Sequence, residues 1–144
     1  AGSVERRDES DRRKRVMNNF KLTSKINSVT ANIRRNGQRV VMETAFEIQG
    51  WMRTDMAEPK SGRRYGDHVA SGPGESPAKD TGLLANSIQV EEISELAAVV
   101  GTNAEYASHL EFGTTRMAPR PFFAPAFEAA KPGFEKRMKE IGKV

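Results

Sequence analysis

Cysteine is absent from this chain of 144 residues, and histidine occurs only twice. Without cysteine the chain can form no disulfide bond, no thiolate metal site and no cysteine nucleophile. Two histidines are too few for the kind of catalytic zinc site that is built from three of them. We therefore expect neither a metal ion nor another cofactor.

Apolar and aromatic residues are also scarce, at 37% and 7% of the chain. No apolar run reaches the roughly 18 residues of a membrane-spanning helix, so we expect no contact with a membrane. The N-terminus also lacks the apolar stretch of a secretory signal. A chain this polar can build only a modest core, which predicts that part of its apolar surface is buried against other subunits.

The net formal charge of +4 hides a segregation of sign along the chain. Residues 1–16 carry +2, residues 17–66 carry +5, residues 67–111 carry −7 and residues 112–144 carry +4. This order suits a subunit whose acidic surface meets the basic surface of a neighbour. The same order of charges is equally compatible with positive and negative groups that intermix once the chain is folded. The basic net charge leaves one alternative function open, that of a basic DNA-binding accessory protein.

Residues 1–16 read as a separate segment. Between Glu5 and Arg15 the sequence has six basic and four acidic residues and no apolar one. Such a run has nothing to bury. We therefore expect residues 1–16 to be a disordered or tag-derived extension, and residues 17–144 to form a single domain.

Apolar residues recur at intervals of three and four from about Ser24 to Met56, which predicts a long N-terminal helix. Thr23 or Ser24 is the expected N-cap. Gly37 interrupts the apolar pattern and predicts a bend or a break in the helix.

Residues 57–82 form a long polar stretch that is punctuated by glycine and proline. Loops longer than about 12–15 residues are uncommon in compact domains, and those that occur are usually functional. The stretch is therefore predicted to be a long polar loop that serves as an arm between subunits.

Short elements are expected to follow the loop. Alternation of apolar and polar residues predicts an antiparallel hairpin with strands at 87–93 and 96–102. A short amphipathic helix follows at 104–112, and Gly113 is expected to end it.

The last predicted helix opens at Pro121 or Pro125 and continues to about Ile141. Pro132 is expected to kink or split it. Four apolar residues of this helix are predicted to face the core: Phe127, Phe134, Met138 and Ile141. The whole pattern indicates an α+β fold, with a long N-terminal helix, a small antiparallel β-sheet, a short helix, and a C-terminal helix packed on the sheet.

Asp80-Thr81-Gly82 is the tripeptide of aspartic proteases, whose chemistry needs two such aspartates sharing a proton. Lys79 precedes the tripeptide here and its surroundings are polar, unlike the apolar strands that flank the catalytic aspartate. We prefer to read Asp80 or Thr81 as the cap of a short helical turn from Gly82 to Ser87. A hydrolase using Asp80 is the least favoured hypothesis.

Several motifs between Ser61 and Glu128 resemble one known family. They are Ser61-Gly62-Arg63-Arg64-Tyr65, the stretch Ala70 to Ala78, Thr81-Gly82-Leu83-Leu84, Val100 to Ala107, and Leu110-Glu111-Phe112-Gly113-Thr114-Thr115-Arg116-Met117 running into Arg120-Pro121-Phe122 and Pro125-Ala126. In this order and spacing they resemble the phage tail-component family named after gene product 10 of phage HK97.

The resemblance implies a structural subunit of a phage tail or prophage-derived particle, not an enzyme. It implies a role in tail completion or head–tail joining as a homo-oligomeric ring, with six copies matching the symmetry of the tail tube. The implied partners are the tail tube and head connector proteins, and DNA that passes through the channel without sequence-specific contacts. The implied location is the virion neck or tail, with assembly in the cytoplasm of the bacterial host.

No catalytic, metal or cofactor residues are carried over from the family. Arginine pairs well with carboxylates and phosphates through two parallel hydrogen bonds. We therefore expect arginines and their carboxylate partners to lie at contacts between subunits or with DNA. The interface candidates are Arg63, Arg64, Tyr65, Glu105, Glu111, Arg116 and Arg120.

Overall fold

The computed structural model describes the backbone of residues 2–143 and the side chains of residues 8–15 and 25–143. The chain divides into two compact units, residues 1–36 and 37–144. The elements in chain order are α1 (Gly2–Ala57), β1 (Arg64–Tyr65), β2 (His68–Val69), α2 (Leu83–Ser87), β3 (Ile88–Ser94), β4 (Ala97–Thr102), α3 (Ala107–Phe112) and α4 (Phe123–Ile141). The predicted α+β fold is confirmed, with the strands arranged in two antiparallel pairs, β1–β2 and β3–β4.

The first unit is helical throughout its described backbone. Exposed charges pair one turn apart, with Arg12 Nη2 3.4 Å from Asp8 Oδ2. An exposed pair of this kind is worth only about 0.3–0.5 kcal/mol. The predicted N-cap at Thr23 or Ser24 is wrong, because α1 already begins at Gly2.

The predicted extension at residues 1–16 falls partly outside the described residues, which lack Ala1 and the side chains of residues 2–7 and 16. That these residues are disordered or tag-derived stays a prediction. Within the described part of the chain, no helix combines the length and the apolar character needed to cross a bilayer.

The core of the second unit is built on one face of α1. Ile48, Met52 and Met56 are spaced four residues apart, so they lie on one side of the helix, and all three are buried. They cluster with Ala85, Ile88, Ala107, Phe122 and Ala126 from four other parts of the chain. The face of α1 and these short elements therefore share one core.

The predicted break at Gly37 is wrong, because α1 is continuous through this residue. A bend there stays a prediction. A Cβ at this position would stand 2.9 Å from Leu96 Cδ2 at the tip of the β3–β4 hairpin. A larger residue at this position would require the Leu96 side chain to move.

The β3–β4 hairpin agrees with the predicted strands to within about one residue. Ile88 pairs with Thr102 and Val90 with Val100, and the register shifts between Glu92 and Ser94. Ile88 is completely buried against α1. The carbonyl of Ile88 accepts hydrogen bonds from Gln49 Nε2 at 2.7 Å and Arg53 Nη2 at 2.9 Å, so polar contacts with α1 reinforce the apolar ones.

The C-terminal helix is one continuous helix from Phe123 to Ile141. It begins between the two prolines that were predicted to open it, and the predicted split at Pro132 is wrong. Arg137 ties it to α1, because its guanidinium binds both carboxylate oxygens of Glu47 at 2.8 and 2.9 Å.

The prediction that Phe127 faces the core is also wrong, since this residue is 45% exposed. Ala126 takes the buried position instead. Successive residues of a helix are separated by about 100°, so Phe127 lies beside the core face and not on it. Phe134, Met138 and Ile141 are half-buried.

Phe122 lies at the centre of the core and Phe127 lies at its margin, which gives a matched pair of aromatic substitutions. Phe122→Ala should lower the free energy of unfolding by about 3–5 kcal/mol, because it removes a fully buried ring and leaves a cavity. Phe127→Ala should cost less than about 1 kcal/mol. Urea denaturation of both variants measures the difference, and equal losses would contradict this description of the core.

Candidate functional site

The predicted arm covers residues 57–82, of which 58–82 connect α1 to α2, and both ends of this connection bind the last turn of α1. Its role as an arm between subunits stays a prediction. Lys60 Nζ donates to the carbonyl of Asp55 at 2.7 Å and to Ser76 Oγ at 2.6 Å. The backbone N–H of Lys79 donates to the carbonyl of Met56 at 3.1 Å. The segment thereby supplies partners to carbonyls that the helix end leaves unpaired.

Glu75 closes the middle of this segment. Its carboxylate accepts hydrogen bonds from the N–H of Ser61 at 3.1 Å, from Ser61 Oγ at 2.6 Å and from the N–H of Gly72 at 2.6 Å. These bonds favour the ionised form, with the one from Gly72 contributing most, and they lower the pKa of Glu75 to about 2. The predicted long polar loop thus contains the short strands β1 and β2, and these hydrogen bonds give it a defined shape.

The tip of the segment is a two-residue hairpin, β1–β2, that turns at Gly66 with a φ of 61°. Arg63, Arg64 and Tyr65 are exposed there. The Arg63 guanidinium lies 5.3 Å from the centre of the Tyr65 ring. Arg64 Nε donates to the carbonyl of Gly66 at 2.8 Å. The structure therefore brings these three interface candidates together on an ordered tip.

Arg120 has a partner within the chain. Its Nη1 donates to both the carbonyl and the hydroxyl of Ser71, the latter at 3.0 Å. Beside it, the N–H of Gly74 donates to the carbonyl of Pro119 at 3.0 Å. Arg120 thus holds the loop before α4 against the segment that carries the tip.

Glu111 also acts within the chain. Its carboxylate accepts hydrogen bonds from the N–H groups of Phe122, Phe123 and Ala124, at 2.8 to 3.0 Å. These are the first N–H groups of α4, which have no partner inside the helix. A negative charge at a helix N-terminus is also favourable for the helix dipole. Glu111 is therefore the cap of α4, supplied from α3, and Gly113 ends α3 beside it as predicted, with a φ of 75°.

The two remaining interface candidates, Glu105 and Arg116, are exposed. Five of the seven candidates thus lie at the surface, whereas Glu111 and Arg120 are half-buried and support the fold. The contact of these residues with another subunit stays a prediction.

A second charged surface was not singled out in the sequence analysis. Glu91, Glu92 and Glu95 are exposed around the turn of the β3–β4 hairpin. Ile93 and Leu96 lie beside them and are 58% and 53% exposed. One signal was available in the sequence, because no lysine or arginine occurs between Lys79 and Arg116.

Asp80 lies at the rim of an open cavity of about 410 Å³. Its side chain is 73% exposed, and Oδ1 is 3.9 Å from His68 Nδ1. An aspartic-protease dyad needs two carboxylates close enough to share a proton, and the partner of Asp80 is an imidazole. Among the described residues, no group of three His, Cys, Asp or Glu side chains is placed to hold a metal ion.

The expected capping role of Asp80 is also wrong. The N-cap of α2 is Gly82, in the left-handed conformation with a φ of 81° and without a side-chain capping bond. Thr81 comes nearest to the expectation, since its Oγ1 accepts a long hydrogen bond of 3.4 Å from the N–H of Leu83.

Replacement of Glu75 by glutamine should loosen the segment that carries the tip. The pKa of Glu75 is about 2 in the folded protein, below its ordinary value of 4.5. Its contribution to stability is therefore complete above pH 4.5 and is lost as the pH falls towards about 2. Urea denaturation should show Glu75→Gln to be less stable than wild type at neutral pH, with the gap narrowing below pH 4.5. Glu58→Gln, a change at an exposed residue nearby, is the control. If the difference in unfolding free energy between Glu75→Gln and wild type did not change with pH, the stabilising role of the ionised Glu75 carboxylate would be wrong.

Loss of the Glu111 cap should destabilise α4. Glu111→Ala removes the acceptor of three backbone N–H groups. Loss of a helix cap costs about 0.5–2 kcal/mol, and we expect the upper part of that range. Denaturant unfolding measures the loss, with the exposed Glu105→Ala as control. Equal stability of the two variants would show that the cap contributes nothing.

Comparison with known proteins agrees with the motifs. Residues 20–113, about two-thirds of the chain, match the model of the HK97-gp10-like family, described as a bacteriophage tail component. No curated protein and no solved structure matches the chain significantly. The matched region runs from α1 to the glycine that ends α3, and so includes the exposed tip and Glu111. The chain therefore belongs to the HK97-gp10 family of bacteriophage tail components.

Proposed function

We propose that this tail component acts in tail completion or head–tail joining, as one subunit of a homo-oligomeric ring. The observation that carries the proposal is the family match over residues 20–113. Its partners would be the tail tube and the head connector, with DNA passing through the ring without sequence-specific contacts. Its place would be the neck or tail of the virion.

The distribution of apolar side chains supports an assembly role. Phe112 at the end of α3 is 80% exposed, and Ile93, Leu96 and Phe127 are each about half exposed. Burying a large apolar side chain contributes roughly 1.5–3 kcal/mol. These residues therefore offer surface that neighbouring subunits could cover.

The chemistry of the charged groups also supports a structural role. Glu75, Glu111 and Arg120 each bind backbone groups that hold a turn, a helix end or a loop. The well-ordered polar contacts of the second unit thus serve to shape an exposed surface. A subunit at a head–tail junction works through such a binding surface and does not require a reactive pocket.

A DNA-binding accessory protein is the second candidate, and one observation favours it. Residues 12–42 contain nine lysines and arginines and no aspartate or glutamate. A helix with that charge would attract the phosphates of any duplex. Binding of this kind weakens steeply with salt, because each phosphate contact releases counterions.

Measurement of size and symmetry separates the two candidates. Light scattering and electron microscopy, with and without the tail tube and connector proteins, should reveal a closed ring or its formation on the tube. A strictly monomeric protein that ignores both partners would overturn the proposal. Steep, salt-dependent DNA binding by such a monomer would favour the accessory protein.

A further inference from the structure

Two oppositely charged surfaces lie at opposite ends of the second unit. We define the basic tip as Arg63, Arg64 and Tyr65, and the acidic turn as Glu91, Glu92, Ile93 and Glu95. Their separation can be read along α1, which contacts both regions.

The acidic turn lies at the Gln38 end of α1, since Gln38 Nε2 donates to Glu92 Oε1 at 2.7 Å. The base of the basic tip lies at the Asp55 end, where Lys60 Nζ binds the Asp55 carbonyl at 2.7 Å. The helix between Gln38 and Asp55 is about 25 Å long at a rise of about 1.5 Å per residue. A chain with complementary surfaces at two ends can join copies head to tail.

The basic tip has the composition of an interface centre. Tyr65 is 57% exposed and the Arg63 guanidinium lies 5.3 Å from its ring centre. Tyrosine and arginine are the residue types that most often dominate binding energy at protein interfaces. The turn at Gly66 and the hydrogen bonds of Glu75 with Ser61 and Gly72 hold the tip in place. Little conformational entropy is therefore lost when the tip binds a partner.

The acidic turn offers the complementary surface. Glu91, Glu92 and Glu95 are exposed and lie within two residues of Ile93 in the chain, and Ile93 is itself 58% exposed. An apolar centre with a charged rim is the usual arrangement of a protein interface. Each carboxylate can accept two parallel hydrogen bonds from one guanidinium.

We propose that the basic tip of one subunit binds the acidic turn of a second copy, so that the copies associate head to tail. The inference rests on the proposed function, because it requires the chain to form a homo-oligomer. It names the contact, which the proposed function leaves open. Tyr65 packs against Ile93 of the neighbour, and Arg63 and Arg64 pair with the surrounding carboxylates.

Charge also selects the symmetry of this contact. Two basic tips repel one another, as do two acidic turns, so a two-fold dimer through either surface is disfavoured. A contact between two different surfaces is heterologous and produces a ring when the rotation closes. Asp67 lies beside the tip and reduces its net charge, so recognition depends on close guanidinium–carboxylate pairs and not on long-range attraction.

Charge reversal tests the contact, using the full chain. Arg63→Glu with Arg64→Glu should weaken self-association by at least about tenfold, and so should Glu91→Arg with Glu95→Arg. Glu92 is kept because it binds Gln38 within the chain. The measurement is sedimentation velocity over a series of protein concentrations, with circular dichroism to show that each variant is folded.

Mixing the two variants provides the decisive result. The reversed tip of the first variant complements the reversed turn of the second, and the unchanged surfaces also match. The mixture should therefore recover oligomers in which the variants alternate, whereas each variant alone remains dissociated. A chain that carries all four reversals should assemble alone.

Matched controls change the same charge elsewhere. Lys136→Glu with Lys139→Glu and Glu135→Lys with Glu140→Lys alter exposed residues of α4 and should leave association unchanged. If wild type assembles and both tip and turn variants assemble equally well, or if mixing fails to restore assembly, this contact is wrong and the ring proposal survives. If wild type never self-associates, with or without the tube protein, the ring proposal fails and the contact fails with it.

Discussion

The second unit depends on one buried face of α1. Val40, Ile48, Met52 and Met56 present an apolar stripe whose members are 5% exposed or less. A two-stranded hairpin is marginally stable by itself in water. Ile88 at the start of the β3–β4 hairpin is buried against this stripe, and Phe122 from the start of α4 lies in the same cluster. The stripe is therefore what allows such small elements to hold a defined position.

Polar side chains at neighbouring positions of α1 orient the elements that pack against it. Gln49 and Arg53 bind the carbonyls of Ala85 and Ile88, and Glu47 binds Arg137 of α4 with both oxygens. Apolar burial is insensitive to orientation, whereas these bonds require particular geometry. Together they set where the hairpin and the C-terminal helix lie, and hence where the exposed surfaces of the unit lie.

Local patterns in the sequence predicted the local structure. The periodicity of α1, the alternation of β3 and β4 and the glycine that ends α3 depend on residues close in the chain, and all three are confirmed. Gly37 and Phe127 were misread for a related reason. Their roles depend on what packs against them, which a periodic pattern does not specify.

Charged residues have two uses, in supporting the fold and in binding a partner, and the two look alike in a sequence. Glu111 and Arg120 were chosen as interface residues, yet their partners are backbone groups 11 to 13 and 49 residues away. Only the fold brings such partners together. Conversely, Glu91 and Glu95 were not chosen, although the fold leaves them exposed beside Ile93. The resemblance to the family is confirmed over residues 20–113, and within that region the structure separates exposed residues from those that support the fold.

The structural roles of Glu75 and Glu111 are a consequence of the small apolar core. Among the large side chains that the structure describes, only Phe122, Met52, Met56 and Ile88 are almost completely removed from solvent. A unit with so little apolar burial cannot hold extended turns by packing alone, so Glu75 and Glu111 hold them with charge-assisted hydrogen bonds. The bonds of Glu75 hold the loop that carries the basic tip, and the bonds of Glu111 hold the start of α4. A tip whose shape is already defined loses less entropy on binding than a loop that must first be ordered, which is what the proposed head-to-tail contact requires.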